Sequence, residues 1–390
     1  MVNILLAFIY LAFISLGLPD SLLGSAWPSM YPQLGVPVSF AGIISMIISA
    51  CTVISALASD RVTRRFGPGL VTAVSVAMTA AALFGFSVSG SFIALCLFAV
   101  PYGLGAGSVD AALNNYVAIH YESRHMSWLH CMWGLGASIG PFIMSYSLTH
   151  GWSWPGGYRS ISVIQALLTA MLLFSLSLWN RGSKNGGSGS PSASQPIPYG
   201  KLLRQSGVKE VMLTFFAYCA MEQTGFLWGA SYLVLNGGVS EETAAGLASL
   251  LFIGITAGRL LSGFLTSRFS DTALTRIGCA TVAVSVVILL LPLGITGASA
   301  GLLLLGLGCA PVYPCVIHAT PGRFGQERSQ AVIGLQMACA YIGTTLVPPF
   351  FGVLARATTF AIFPFFILAI LILLVLSHER LHRLMDGPHS

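Results

Sequence analysis

Twelve apolar runs, each near the length that crosses a lipid bilayer, divide the chain. They lie at about 3–28, 39–59, 69–89, 92–118, 128–149, 159–179, 210–235, 243–265, 273–292, 298–318, 331–353 and 360–377. A membrane helix needs about 20 apolar residues. In hydrocarbon every backbone N–H and C=O must be satisfied within the protein, which leaves helices and closed barrels. The runs are too long for barrel strands and do not alternate, so the barrel is excluded. Composition closes the other routes. Only 8% of residues are charged and 55% are hydrophobic, against about 25% charged in a soluble domain. So few charges cannot cover a soluble surface, which excludes a soluble enzyme, a nucleic-acid binder and a disordered chain. The chain opens on an apolar stretch without a basic segment or small-residue cleavage site, so it reads as a first span.

Basic residues orient the spans. With the N-terminus in the cytoplasm, 15 of the 18 Lys and Arg fall inside, from Arg61, Arg64 and Arg65 to Arg380 and Arg383. Two of those 15 are Arg181 and Lys184. Arg159 and Arg356 fall outside and Arg259 within a span. This satisfies the positive-inside rule and puts both termini in the cytoplasm. Between spans six and seven the sequence turns rich in Gly, Ser and Pro, a flexible linker. The expected organisation is a six-helix bundle at 1–180, a cytoplasmic linker at 181–209, a second six-helix bundle at 210–379 and a tail at 380–390.

The halves repeat. Asp60 in the loop after span two aligns with Ser267 in the loop after span eight, an offset of 207. Gly103-Leu-Gly105 in span four aligns with Gly306-Leu-Gly308 in span ten, an offset of 203. Gly136 and Pro141 in span five align with Gly343 and Pro348 in span eleven at 207. Duplicated helical units with a site at their interface characterise secondary transporters.

Asp60-Arg61-x-x-Arg64-Arg65 after span two resembles the loop motif of the major facilitator superfamily, with Ala56 and Thr63 at two positions where that motif has Gly. Further stretches resemble the fucose–galactose–proton symporter group and its sodium-dependent-glucose-transporter-like relatives. These are Leu129-His130 with Gly134-Leu-Gly136 and Pro141, Gly306-Leu-Gly308-Cys-Ala310-Pro311-Val-Tyr313-Pro314, and Ala220-Met-Glu222. The resemblance implies a twelve-helix, all-α membrane fold of two repeated six-helix bundles. It also implies an essential acid in span one and another in span four. Asp20 matches the first in placement, and Asp110 the second with Asp in place of Glu.

The acids also stand out on physical grounds. An acid at a helix centre costs roughly 2.5–3.5 kcal/mol on insertion scales, and packing alone does not require one. Asp20, Asp110 and Glu222 are therefore the candidates for ion coupling. Asn114 lies four residues after Asp110, on the same helix face. The pair offers ligands for a sugar hydroxyl, a proton or Na⁺. His130, Trp133, Glu222, Gln223, Trp228 and Tyr313 complete the expected substrate set, the aromatic rings as platforms for a sugar face. Arg259 needs a carboxylate or carbonyls. Glu222 is one partner, and helix-end carbonyls at the cytoplasmic gate are the preferred one. Asp60, Arg61, Arg64 and Arg65, with Arg259 and Arg268, read as a gate that biases a conformational equilibrium.

No nucleotide-binding loop occurs, and His120, His125 and His130 spread around the helix, so neither ATP coupling, a metal nor a cofactor is expected. The eight cysteines fall within apolar stretches and read as buried thiols. The expectation is a monomeric, multi-pass transporter of the cell membrane, not an enzyme. It works by alternating access, takes up a small sugar or polyol with H⁺ or Na⁺, meets lipid and binds no nucleic acid. The alternative is a drug or metabolite–proton antiporter, because Gly136-x-x-x-Gly140-Pro141 resembles part of the antiporter motif of the superfamily.

Overall fold

The structure, a computed structural model, describes residues 2–37, 40–179, 198–238 and 241–385. Arg181, Lys184 and most of the expected linker lie outside the described residues. Among the described residues the chain is nearly all helix and no strand occurs. The first half contains α1 (Val2–Gly17), α2 (Leu22–Leu34), α3 (Ala41–Phe66), α4 (Pro68–Val88), α5 (Phe92–His120), α6 (Ser123–Thr149) and α7 (Ser153–Phe174). After a single turn at Tyr199–Leu202 come α8 (Val208–Gly237), α9 (Glu241–Leu265), α10 (Asp271–Leu290) and α11 (Gly294–Cys309). The chain continues through α12 (Val312–His318), α13 (Thr320–Phe324), α14 (Gln326–Ala357) and α15 (Phe363–Met385).

Nine stretches among the described residues are long and apolar enough to cross a membrane. Spans five, seven and eight exist as the long helices α6, α8 and α9. Spans five and seven carry the polar residues His130, Glu222 and Gln223, and span eight counts as a shorter apolar helix over Ser249–Leu265. Span one is two helices, α1 and α2, and span ten is three, α11 to α13.

The helices group into two compact units, residues 1–116 with 129–196, and 117–128 with 197–390. The short segment that joins spans four and five thus belongs with the second unit. In the first unit α4 packs on α7. In the second, α8 packs on α14 and α15, and α11 on α9 and α10.

The sequence repeat has a physical cause. A Cβ on Gly103 would overlap the Ile48 carbonyl of α3, and one on Gly306 the Leu251 carbonyl of α9. These are the second spans of the two halves. Two residues on, Gly105 and Gly308 meet the third spans, at Ser75 of α4 and Gly278 of α10, with 2.7 Å left for a Cβ in each case. Gly136 and Gly343 meet the first spans, at Ile14 of α1 and Phe216 of α8. Each matched glycine lets two backbones approach where any side chain would hold them apart.

The motif at Asp60–Arg65 is helical and not the loop expected from the sequence. It forms the last turns of α3, where Arg64 and Arg65 suit the negative end of the helix dipole. The helix stops at Gly67, whose φ of 79° suits glycine, and Pro68 opens α4. Likewise α15 continues through Met385, past the expected end near 377.

Candidate functional site

In the first unit the site grows from the break in span one. Pro19 has no N–H to give to the Ser15 carbonyl one turn earlier, so that carbonyl loses its helical partner. Gln165 of α7 supplies a donor instead, its Nε2 lying 2.8 Å from the Ser15 oxygen. Thr79 of α4 orients the amide by donating to Gln165 Oε1 at 2.7 Å. The break is braced on its other side by α6. Gly17 lies against the Trp133 carbonyl, Gly140 against that of Leu18, and Ser21 Oγ donates to Ala137 O at 2.7 Å.

Asp20 occupies this break and its side chain is exposed. Its carboxylate accepts from the Trp133 indole N–H at 2.8 Å and from the Tyr102 hydroxyl at 3.2 Å. Both donors are neutral. Trp133 therefore meets the acid through its N–H, beyond the stacking role expected of it.

Further along α5 lies a second set. Asn114 Nδ2 donates to Asp110 Oδ1 at 2.8 Å, as the four-residue spacing suggested. The amide oxygen faces His130 Nε2 at 3.0 Å. With the amide NH₂ committed to a carboxylate, its oxygen is the acceptor, so His130 Nε2 carries the hydrogen. The His130 ring stands edge-on to Phe13 at 5.4 Å. Asp110, Asn114 and His130 are all buried, Asn114 completely.

In the second unit the acid has a cation. Arg259 Nη2 lies 3.1 Å from Glu222 Oε1, and Tyr218 donates to the same oxygen at 2.8 Å. The preferred expectation, that helix-end carbonyls hold Arg259, is corrected by this ion pair. A guanidinium with 4% exposure needs a full counter-charge, and Glu222 on the neighbouring helix provides it. Tyr313 stacks at an angle on Phe215 at 4.7 Å and meets Tyr218 edge-on at 5.9 Å, so it borders this cluster. Gln223 is half-buried beside Glu222.

Trp228 does not join the cluster. Its N–H goes to the Pro348 carbonyl at 2.8 Å, and its ring packs with Phe351 and Phe360. Six residues after Glu222 it has turned to another face of α8. Of the expected gating residues, Asp60 is buried and accepts from Arg64 Nε at 2.8 Å. Arg61, Arg65 and Arg268 are exposed, and Arg65 rests over the Phe66 ring. A group not expected from the sequence ties the segment 117–128 into the second unit. Asp271 accepts from Ser123 Oγ and lies 2.6 Å from His318 Nδ1, while His318 Nε2 reaches the Tyr121 carbonyl at 3.2 Å.

Tyr102 and Tyr218, the hydroxyl donors to two of the acids, were also missed. Tyr218 carried a local signal, four residues before Glu222 on one face. Tyr102 is 82 residues from Asp20 and carried none. Among the described residues no cluster of His, Cys, Asp and Glu could hold a metal ion.

The all-helical, duplicated architecture agrees with the comparisons to known proteins. The family model of the Major Facilitator Superfamily matches residues 9–345. The chain belongs to that superfamily, which makes it a multi-pass integral membrane transporter and not an enzyme. It is 22% identical to "Bypass of stop codon protein 6" of Saccharomyces cerevisiae over 66% of this chain and 56% of that protein. It is 24% identical to "Glucose/mannose transporter GlcP" of Bacillus subtilis over 64% of this chain and 62% of that protein. The matches therefore span less than two thirds of the length of both relatives. Among solved structures, the fucose:proton symporter FucP of E. coli matches with a TM-score of 0.70 at 18% identity, over 96% of this chain and 98% of that one. The proton:xylose symporter XylE matches with a TM-score of 0.74 at 13% identity, over 96% and 94%. These likenesses establish the fold.

Proposed function

We propose that this transporter takes up a small sugar or polyol together with a proton, by alternating access, with both termini in the cytoplasm. The observation that carries the coupling is Asp20. It is an exposed carboxyl at the break of a membrane span, and its partners Tyr102 and Trp133 are neutral donors. An acid held only by neutral groups can gain a proton without leaving a partner charge unpaired. Glu222 cannot, because protonation would strand the buried Arg259. Coupling is therefore assigned to Asp20 over Glu222, and Glu222 with Arg259 keeps a fixed, internally neutral polar surface. This reassigns Arg259 from the gate to the Glu222 cluster.

For the substrate, Trp133 in the first unit, and separately Glu222, Gln223 and Tyr313 in the second, each offer hydrogen-bonding and ring surfaces suited to a polyol. Asp110, Asn114 and His130 add a second set of polar groups in the first unit. A polyol is further supported by the kind of relatives and folds found, among them a glucose/mannose transporter and two sugar:proton symporters. The antiporter reading rests on Gly136-x-x-x-Gly140-Pro141. Gly136 and Gly140 are accounted for by backbone packing of α6 on the broken first span.

Uptake of labelled fucose, xylose, glucose and mannose into proteoliposomes tests the proposal, with pH and Na⁺ gradients imposed separately. Accumulation of one sugar driven by an inward proton gradient is the expected result. Accumulation driven by Na⁺ alone, or sugar-independent proton release with drug substrates, overturns it.

A further inference from the structure

The break in span one closes over a small cavity inside the first unit. Ser15, Pro19, Thr79, Tyr102 and Gln165 line it, with apolar residues of α1, α4 and α5 between them. Its free volume of about 10 Å³ is room for one water molecule. Its polar wall is incompletely satisfied. Ser15 Oγ is 3% exposed at the residue level and has no hydrogen-bond partner in the protein. A buried hydroxyl left so is destabilising. The neighbouring polar groups are committed in one direction only. Thr79 donates to Gln165, and Tyr102 donates to Asp20, so both hydroxyl oxygens keep lone pairs to accept with.

We propose that this cavity binds one ordered water, held by the Ser15 hydroxyl, and that the water completes the hydrogen-bonded set that fixes Tyr102 on Asp20. A buried water makes about three hydrogen bonds to groups that lack partners, and this wall supplies one orphan hydroxyl and two spare acceptors. The donor to Asp20 is then steadied from behind, and the same proline that frees the Ser15 carbonyl opens the room for the water. No charged group competes. Of the side chains that line the cavity only Tyr102 titrates. Helices α1, α2 and α4 contain no charged residue, α7 contributes Arg159 near its start, and α5 contributes Asp110 two turns beyond Tyr102. From α6 the group that meets Asp20 is Trp133.

The inference rests on Asp20 as the proton carrier, and its test separates the two. The full-length protein and its Ser15→Val variant, which fills the cavity and removes the hydroxyl, are compared in three ways. A structure at a resolution that shows waters should have density for one in the wild type and none in the variant. The infrared carboxyl band that Asp20→Asn abolishes reports the titration of Asp20 itself. Loss of one supporting hydrogen bond should move its midpoint by about one pH unit in Ser15→Val. Ser15→Ala adds no volume and should move it less, which keeps the test alive if the valine variant folds poorly. A dry cavity overturns the proposal, and shows as higher thermal stability of Ser15→Val with an unmoved Asp20 band. A saturable rise in melting temperature with Na⁺, lost in Ser15→Val, also overturns it by marking a cation site. If the band moves but no proton gradient drives uptake, the water site stands and the coupling role of Asp20 falls. If proton-driven uptake holds and the band does not move, the reverse is true.

Discussion

The two halves share a frame and differ in where it is broken and how its acids are neutralised. In the first unit the broken span is the first, at Pro19, while the fourth is the continuous helix α5 despite Pro101. In the second unit the first span is the unbroken 30-residue helix α8, and the break falls in its fourth, between α11, α12 and α13. Prolines lie at both breaks, Pro19 in span one and Pro311, Pro314 and Pro321 in span ten, while α8 has none. Pro101, Pro141, Pro348 and Pro349 sit inside helices that stay continuous. Beside each break lies an acid or its hydroxyl partner. Asp20 in the first unit is met by neutral donors, whereas Glu222 in the second is locked to Arg259. Duplication preserved the backbone contacts at Gly103, Gly105 and Gly136, because a side chain there collides with a neighbouring helix. It left the polar positions free to diverge, one half toward a carboxyl met by neutral donors and the other toward one paired with an arginine.

The sharpest break of this comparison is Arg259→Met. Removing one member of a buried ion pair is expected to cost about 3–5 kcal/mol, read as a lowered unfolding midpoint in detergent. The double variant Glu222→Gln with Arg259→Met should recover most of that loss. Equal destabilisation in single and double variants would mean that the pair is not the reason for the cost.

Next in size is Asp20→Asn. A proton moving across 100 mV and a tenfold pH difference gain about 3.7 kcal/mol together, several-hundredfold in accumulation. The variant should lose all of this and still exchange labelled sugar for unlabelled sugar across the membrane. Glu222→Gln should not reproduce that pattern. If it does, the division of labour between the units is wrong.

A smaller effect separates the matched glycines. Gly136→Ala should destabilise by about 1–3 kcal/mol through overpacking. Gly343→Ala should cost less, because 2.7 Å remains between a Cβ there and the Phe216 carbonyl, and Gly136 has less room against Ile14. Thermal melts of the two variants side by side check the order. The smallest effect is at the helix ends. Arg268→Ala, at an exposed position, should stay within about 0.5 kcal/mol of wild type. Arg64→Ala, which leaves the buried Asp60 without its ion-pair partner, should exceed it in the same melts.

Some of the site was legible in the sequence. Spacing of four put Asn114 on the face of Asp110, and the structure joins them at 2.8 Å. His130 was named from its place near the start of span five and from its motif, and it completes that chain. Trp228, expected as a platform for a sugar face, packs its ring with Phe351 and Phe360 and gives its N–H to the Pro348 carbonyl. Arg259 misled, since whether a lone arginine meets a carboxylate or carbonyls depends on which helix lies beside it.

The sequence by itself determined the membrane class, the helical fold and the duplication. Length and apolarity of each run are set by the bilayer, and the glycines recur because each half must pack the same backbones closely. The tertiary structure alone decided which polar groups meet. Tyr102 reaches Asp20 across 82 residues, Gln165 caps a carbonyl 150 residues away, and Arg259 finds Glu222 on the next helix. Those pairings depend on the rotation and height of each helix in its bundle. Apolar periodicity leaves both undetermined in a lipid-facing protein, where Leu, Ile and Phe serve equally well toward lipid and toward a neighbouring helix.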